Sequence, residues 1–328
     1  MSDTTLKVQN IVPISVYVML VLGLASFSFS SILVRLAQDE GLPSLFIASS
    51  RLTIGAIILT PLVLAKYRDN LAQMTRNDVL LAIVAGTFLA IHFASWVTSL
   101  EYTSVLISVV FVTSSPLWVA LLEFIFLRSK LPKSVIIGLG IAIAGGLLIG
   151  FGGMVSGDSL DGVVVDRQRE FIGGALSLVG AITIAVYLII ARKLQQAREH
   201  QGVVTKLHII PYIWMVYGTA GLILLVWSIG TGIPVTGYSS QGYVWLIVMA
   251  LFPQLLGHSS LNYAVGYIPA TIVSMMTQLE PIGSAILAYF LFGELPFPLQ
   301  MLGSAVIITG VLLATYGQNK KRKKSKMA

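Results

Sequence analysis

Apolar residues run along the chain in blocks too long for the helices of a soluble core. Ten stretches stand out, roughly 11–36, 43–65, 78–99, 103–127, 133–152, 171–192, 209–229, 243–265, 269–292 and 298–317. Each meets the requirement of about 20 mostly apolar residues for a helix that crosses a bilayer. The pattern predicts an all-α integral membrane protein with ten transmembrane helices. Most connections are short. The exceptions are 153–170, rich in Gly and Asp, and 193–208, rich in Arg, Lys and Gln. The first block lacks a small-residue cleavage site and is too long for the apolar core of a signal peptide, so it is read as a helix.

Loop charges orient this pattern. With the N-terminus cytoplasmic, the inside loops receive Lys66, Arg68 and Arg76, then Arg128, Lys130 and Lys133, then Arg192, Lys193, Arg198 and Lys206. Lys7 falls on the same side. The outside loops receive only Arg167 and Arg169, diluted by Asp158, Asp161, Asp166 and Glu170. Lys and Arg concentrate on the cytoplasmic side of inserted helices. A missed or extra helix would scramble the alternation, so the charges support the count of ten and place both termini in the cytoplasm.

The two halves of the chain repeat. Gly138, Gly145 and Gly152 recur 165 residues on as Gly303, Gly310 and Gly317, and Pro116 recurs at the same offset as Pro281. His92 and Trp96 match His258 and Asn262 one residue out of step, while Gly23 and Arg35 match Gly180 and Arg192. Five helices per copy is an odd number, so the second copy inserts upside down. The expected organisation is two inverted five-helix repeats, 1–152 and 171–317, an external loop 153–170 and a basic cytoplasmic tail 318–328. Inverted repeats of this kind place a substrate site near the bilayer midplane between them.

Composition agrees and narrows the partners. Hydrophobic residues make up 56% of the 328 positions and charged residues 11%, about half the charged share of a soluble chain. Six of the seven net positive charges sit in Lys320, Lys321, Arg322, Lys323, Lys324 and Lys326. A nucleic-acid binder spreads basic residues over a folded face; a basic tail just after an apolar segment fits a topology anchor on anionic membrane lipid. The chain has no Cys, which excludes disulfides, thiolate metal sites and Cys nucleophiles.

The stretch 279–310, LEPIGSAILAYFLFGELPFPLQMLGSAVIITG, joins a Pro-containing helix, a Gly-Glu turn and a Gly-rich last helix. The first half carries the same plan in SSPLWVALLEFIFLRSKLP followed by IGLGIAIAGG, with Lys130 where the second half has Glu294. On these segments the chain resembles the drug/metabolite transporter superfamily, in its ten-helix EamA type, over essentially its whole length. Arg51 matches an Arg common in that family. The resemblance implies a bundle with a central cavity lined by helices 1, 3, 4, 6, 8 and 9, helices 5 and 10 at the periphery, and alternating access without ATP hydrolysis or cofactor. The missing G-x-x-x-x-G-K-[ST] phosphate loop is independent of the resemblance and consistent with it. The substrates it implies range over amino acids, other metabolites and drugs.

Polar groups inside apolar stretches cost several kcal/mol in lipid, so they face protein or a water-filled cavity. His92, Trp96 and Ser99 share one face of helix 3, and Gln254, His258 and Asn262 share one face of helix 8. They are either two walls of one substrate cavity or interhelical hydrogen bonds that hold the bundle. Gln278 and Glu280 precede Pro281 on helix 9, as Thr113 and Ser115 precede Pro116 on helix 4. Pro removes a backbone hydrogen bond, so both are candidate helix breaks that free carbonyls, or kinks that only shape the bundle. Glu280, the one carboxylate far from both ends of its helix, is a candidate for binding a substrate amine or carrying a coupling proton. Trp118, Tyr187 and Tyr263 line the cavity or pack the bundle. Arg51 is read as a structural intramembrane charge, Arg35 as snorkelling at the outer end of helix 1, and Glu123 and Glu294 as interfacial. The Gly stripes of helices 5 and 10 serve packing within the chain or a homodimer. Four His residues without ligand spacing give no metal site.

The leading expectation is a secondary transporter for small organic solutes, an exporter of amino acids or metabolites, in the cell membrane. A carrier for phosphorylated or nucleotide-linked sugars is the nearest alternative; it calls for several deep Lys or Arg residues, and only Arg51 is deep. A membrane-embedded enzyme needs a nucleophile with its base. Neither His92 nor His258 has an acidic residue at i±3 or i±4, and no G-x-S-x-G turn occurs.

Overall fold

The computed structural model describes residues 12–103, 108, 111–129, 131–155, 167–200, 208–292 and 298–327. Lys130, Glu294 and most of the loop 153–170 lie outside them. The described residues are helical, with no strand. We label the main helices α1 (Ile14–Asp39), α2 (Ser44–Lys66), α3 (Arg76–Tyr102), α4 (Ser115–Leu127), α5 (Lys133–Val155), α6 (Arg167–His200), α7 (Ile209–Gly230), α8 (Ser240–Val265), α9 (270–292) and α10 (Pro298–Met327). Six contain segments long and apolar enough to cross a membrane, namely α1, α2, α3, α6, α7 and α8. Those of α4, α5 and α10 are shorter apolar helices.

The helices pack as a bundle whose most extensive interfaces pair α5 with α10, α3 with α6 and α2 with α7. The α5–α10 seam depends on glycine. A Cβ on Gly138 would stand 2.5 Å from the Gly310 carbonyl oxygen, and one on Gly145 would stand 2.7 Å from that of Gly303. Both distances are below van der Waals contact, so only hydrogen at Cα lets the backbones approach this closely. The Gly stripes therefore serve a seam inside the chain.

Three helices depart from regular α-geometry, each for a local reason. In α1 the helix breaks at Ser28–Phe29. Ser28 Oγ donates to the Leu24 carbonyl (3.1 Å), and the Ser28 carbonyl accepts from Ser284 Oγ of α9 (2.9 Å). In α8, Ala250–His258 is wound as a π-helix containing Pro253. Proline has no N–H and its ring clashes with the carbonyl four residues back, which favours the wider i→i+5 turn.

In α9 a 3-10 turn, Thr277–Leu279, separates two α-segments. Pro281 cannot bond the Thr277 carbonyl, which takes the Glu280 N–H instead. Pro116 differs from its sequence reading. It is the second residue of α4, a first-turn position where the absent N–H costs nothing. The apolar stretch 103–127 is accordingly not one helix: a turn at Thr113–Ser114 precedes Ser115. Irregular backbone at membrane depth is tolerated only when buried in protein or lining a cavity, and irregular α1 and α8 contribute Phe27 and His258 to the polar site.

Candidate functional site

The centre of the bundle is built around Phe93. The Arg51 guanidinium lies over its ring at 4.3 Å from the centroid. The His258 ring meets it edge-on at 5.1 Å, the His92 ring at 4.9 Å and the Trp96 ring at 6.3 Å. His92 stacks nearly parallel to Trp96, and the two imidazoles are 6.5 Å apart. Phe27 of α1 closes the other side of His258 at 4.8 Å. These aromatic contacts bring α1, α2, α3 and α8 to one point.

Polar contacts fix the orientation of some groups and leave others unmet. His92 Nδ1 donates to the Gly180 carbonyl of α6 at 2.8 Å, which sets the neutral tautomer with its lone pair on Nε2. Arg51 Nε donates to Gln254 Oε1 (3.2 Å) and its Nη1 to Ser30 Oγ (3.4 Å). Its Nη2 has no partner, nor have Gln254 Nε2, Trp96 Nε1 and His258 Nδ1. These four side chains are 0, 0, 6 and 5% exposed, respectively. Among the described residues eleven buried side-chain polar atoms lack a partner, and these four belong to one cluster. Each buried, unmet donor or acceptor costs about 1–3 kcal/mol, and such groups in native proteins call for an explanation such as a ligand or ordered water.

Glu280 stands half-buried at the start of the last α9 segment. Nearby, Gln278 Nε2 donates to the Thr113 carbonyl at 3.2 Å, a carbonyl in the turn that precedes α4. Its Oε1 has no partner. Tyr217 of α7 lies beside the site, its hydroxyl within 3.1 Å of Ser259 Oγ and 3.5 Å of the Gln254 carbonyl.

Several sequence-selected residues separate from this cluster. Ser99 turns to Ser108 Oγ (2.6 Å), part of a serine group with Ser177. Asn262 Nδ2 donates to Tyr187 OH on α6 and to the His258 carbonyl. Trp118 Nε1 donates to Ser114 Oγ (3.3 Å), and Tyr263 OH pairs with Ser15 Oγ (3.1 Å). Arg35 is exposed and lines a groove of ≈ 390 Å³ with Gln38, Asp39 and Glu101.

Two charged groups are buried in the protein. Glu123 is buried, 2% exposed, and its carboxylate accepts from Thr271 N (3.0 Å) and Thr271 Oγ1 (2.5 Å). It caps the first turn of α9, where a helix offers unpaired N–H groups and positive potential. Arg51, read as a structural intramembrane charge, is 0% exposed at the centre of the polar cluster. Sequence reasoning also missed Ser30, Phe93 and Tyr217. Pro253, a proline inside a long apolar run, was the available signal for the distorted segment that carries Gln254 and His258.

Known proteins of similar sequence and shape fit this architecture. The chain is 24% identical over 308 residues to "Uncharacterized transporter YdfC" of Bacillus subtilis (strain 168), covering 93% of this chain and 91% of the relative. It is 25% identical over 292 residues to "Pseudopaline exporter CntI" of Pseudomonas aeruginosa (strain UCBPP-PA14), covering 88% and 92%. A protein of known crystal structure superposes with a TM-score of 0.74 at 12% identity, over 93% of this chain and 98% of that one; this likeness concerns the fold alone. The model of the EamA-like transporter family matches twice, over residues 14–151 and 171–316. A helical bundle with long apolar spans, a polar centre and two family-matching segments that together cover most of the sequence is a multi-pass membrane protein, and the chain belongs to the EamA-like transporter family.

Proposed function

We propose that the chain is a secondary carrier that moves small organic solutes, such as amino acids or metabolites, across the cell membrane by alternating access. In this reading ten helices span the membrane as two inverted five-helix repeats, 1–152 and 171–317, joined by the external loop 153–170. The basic tail 318–328 lies in the cytoplasm with the N-terminus. The cluster around Phe93, with Gln278 and Glu280, is the substrate site. Export is the favoured direction, in line with the printed function of the relative CntI.

The observation that carries the reading is where repeat-matched positions meet. His92 faces its match His258 across 6.5 Å, and Gln278 bonds the carbonyl of Thr113, the residue 165 positions earlier. Gly138 touches Gly310, and their respective matches Gly303 and Gly145 touch each other. Positions related by a two-fold axis contact their own mates only close to that axis. The unmet polar groups of Arg51, Gln254, Trp96 and His258 therefore lie near the junction of the two repeats, where inverted-repeat carriers hold their substrate.

Glu280 is the residue proposed to bind a substrate amine or to carry a coupling proton. In liposomes holding the purified full-length protein, counterflow of labelled amino acids and related metabolites identifies the solute. Glu280→Gln, which keeps size and removes charge, is expected to lower its transport at least tenfold, about 1.4 kcal/mol in transition-state terms, with membrane insertion unchanged. Undiminished transport by the Gln variant over a pH series would show that Glu280 carries neither substrate nor proton.

A further inference from the structure

Three of the four unmet atoms around Phe93 are donors only, and the fourth can be one. Arg51 Nη2 and Trp96 Nε1 only donate, and His258 Nδ1 donates in one of its neutral tautomers. Gln254 Nε2 is a donor as well. The orientation of this amide follows from its other end, because Gln254 Oε1 accepts from Arg51 Nε at 3.2 Å. The unmet set is thus a group of donors gathered around one cation. A guanidinium keeps its charge at physiological pH and offers donors in a planar fork matched to paired oxygens. Here both of its hydrogen-bond partners, Gln254 Oε1 and Ser30 Oγ, are neutral.

A structural role accounts poorly for this arrangement. Arg51 is the only Arg or Lys buried among the described residues, and a buried charge requires pairing or close hydrogen bonding to offset its desolvation. An arginine that only held α2 to α8 would direct its fork at a carboxylate or at helix-end carbonyls. Arg192 does the latter, donating through Nη1 to the Val265 and Ile268 carbonyls. At Arg51, Nη2 stays unmet beside the unmet amide of Gln254.

We infer that Arg51 is a substrate-binding residue that receives an oxyanion of the transported solute, a carboxylate, through Nη2 with Gln254 Nε2 as its second donor. The inference rests on the central cluster being the transport site. Carboxylate and phosphate oxygens share this chemistry. Charge separates them: phosphate monoesters carry about −1.5 to −2 at neutral pH, and a single buried cation matches a carboxylate better. Glu280, at the start of the last α9 segment, would then face the cationic end of a zwitterion, and the Phe93, Trp96 and Phe27 rings its apolar part.

The test uses purified full-length protein and matched probes: the proteinogenic amino acids, their carboxamides, simple aliphatic carboxylates and glucose 6-phosphate. Binding is read from thermal stabilisation in detergent. Stabilisation is expected from one or more carboxylate probes, with the matching carboxamide requiring at least tenfold higher concentration. Arg51→Lys, which keeps charge but not the fork, should weaken the carboxylate at least tenfold. Arg51→Gln should erase the acid–amide difference. If Arg51→Gln does not fold, Gln254→Leu serves in its place and should narrow that difference.

Equal binding of acid and amide, preference for the sugar phosphate, or no binding by any carboxylate probe overturns the inference. So does an Arg51→Gln protein that keeps the full preference for the acid. Counterflow of the same probes in liposomes separates the two readings. Flux confined to solutes without a carboxylate sinks this inference and leaves the carrier standing. Tight carboxylate binding without flux sinks the carrier and leaves the binding site.

Discussion

At the scale of residues, the distinction that matters is between buried polar groups that are satisfied and those that are not. Glu123 is fully served: Thr271 supplies both its backbone N–H and its hydroxyl to one carboxylate oxygen. Truncating it leaves a buried N–H of the α9 first turn without a partner. Loss of a helix cap costs about 0.5–2 kcal/mol, and the orphaned donor raises the cost toward the upper end. Glu123→Ala is therefore expected to lower the melting temperature of the purified protein. Glu123→Gln, whose amide oxygen can still accept, should lower it by clearly less. Equal melting of the two variants would mean that Thr271 finds another partner. The polar groups around Phe93 behave in the opposite way, because their unmet donors are costs that a ligand can offset. His92, Trp96, Gln254 and His258 were legible as cavity candidates, since polar residues in apolar runs are few. What surrounds Arg51 was not legible and Phe93 was overlooked for one reason: a sequence shows that a charge is deep but not what surrounds it, and an apolar ring in an apolar helix carries no signal.

At the scale of elements, hydrophobic run length located the helices well. It could not show where their backbones bend. The break at Ser28–Phe29 lies in a run of Ser and Phe that any regular helix would accept, and the π-segment Ala250–His258 follows from Pro253 only once the helix is known to continue through it. The glycine stripes of α5 and α10 were visible as a repeat, but their use was open between two surfaces until the partner backbone was seen 2.5 Å from the position of a Gly138 Cβ. That geometry gives a paired prediction. Gly138→Val would drive α5 from α10 and should destabilise the protein by about 1–3 kcal/mol, the usual cost of overpacking. Gly140 sits two residues on in the same helix with nothing within 4 Å of its Cβ position. Gly140→Ala should leave melting unchanged or raise it, since Ala is the better helix former by about 1 kcal/mol. If instead a surface dimer used the stripe facing Gly140, that variant would be the destabilised one, and its dimer would dissociate on sizing.

At the scale of the whole molecule, the proposed orientation follows from charges that the helices themselves do not contain. Arg68, Arg76, Arg128, Lys133 and Lys193 fall at one set of helix ends, and Arg169 is nearly alone at the other. During insertion Lys and Arg are retained on the cytoplasmic side, so the alternation predicts both termini inside and the 153–170 loop outside. The absence of Cys makes a direct test clean. Single cysteines at Ser159, in that loop, and at Ser325, in the basic tail, are exposed in intact cells to a membrane-impermeant thiol reagent. Position 159 should react. Position 325 should react only with a permeant reagent, or after the membrane is opened. The reverse pattern would invert the protein. Reaction at both positions would place an even number of crossings between them, and the two halves could then no longer be five-helix copies of opposite orientation. Protection of both would carry the same meaning for the count. The predicted pattern and its reverse both require an odd number of helices on the second side of the loop, and with it the inverted relation proposed for the two copies; of the two, only reaction at 159 puts the loop outside.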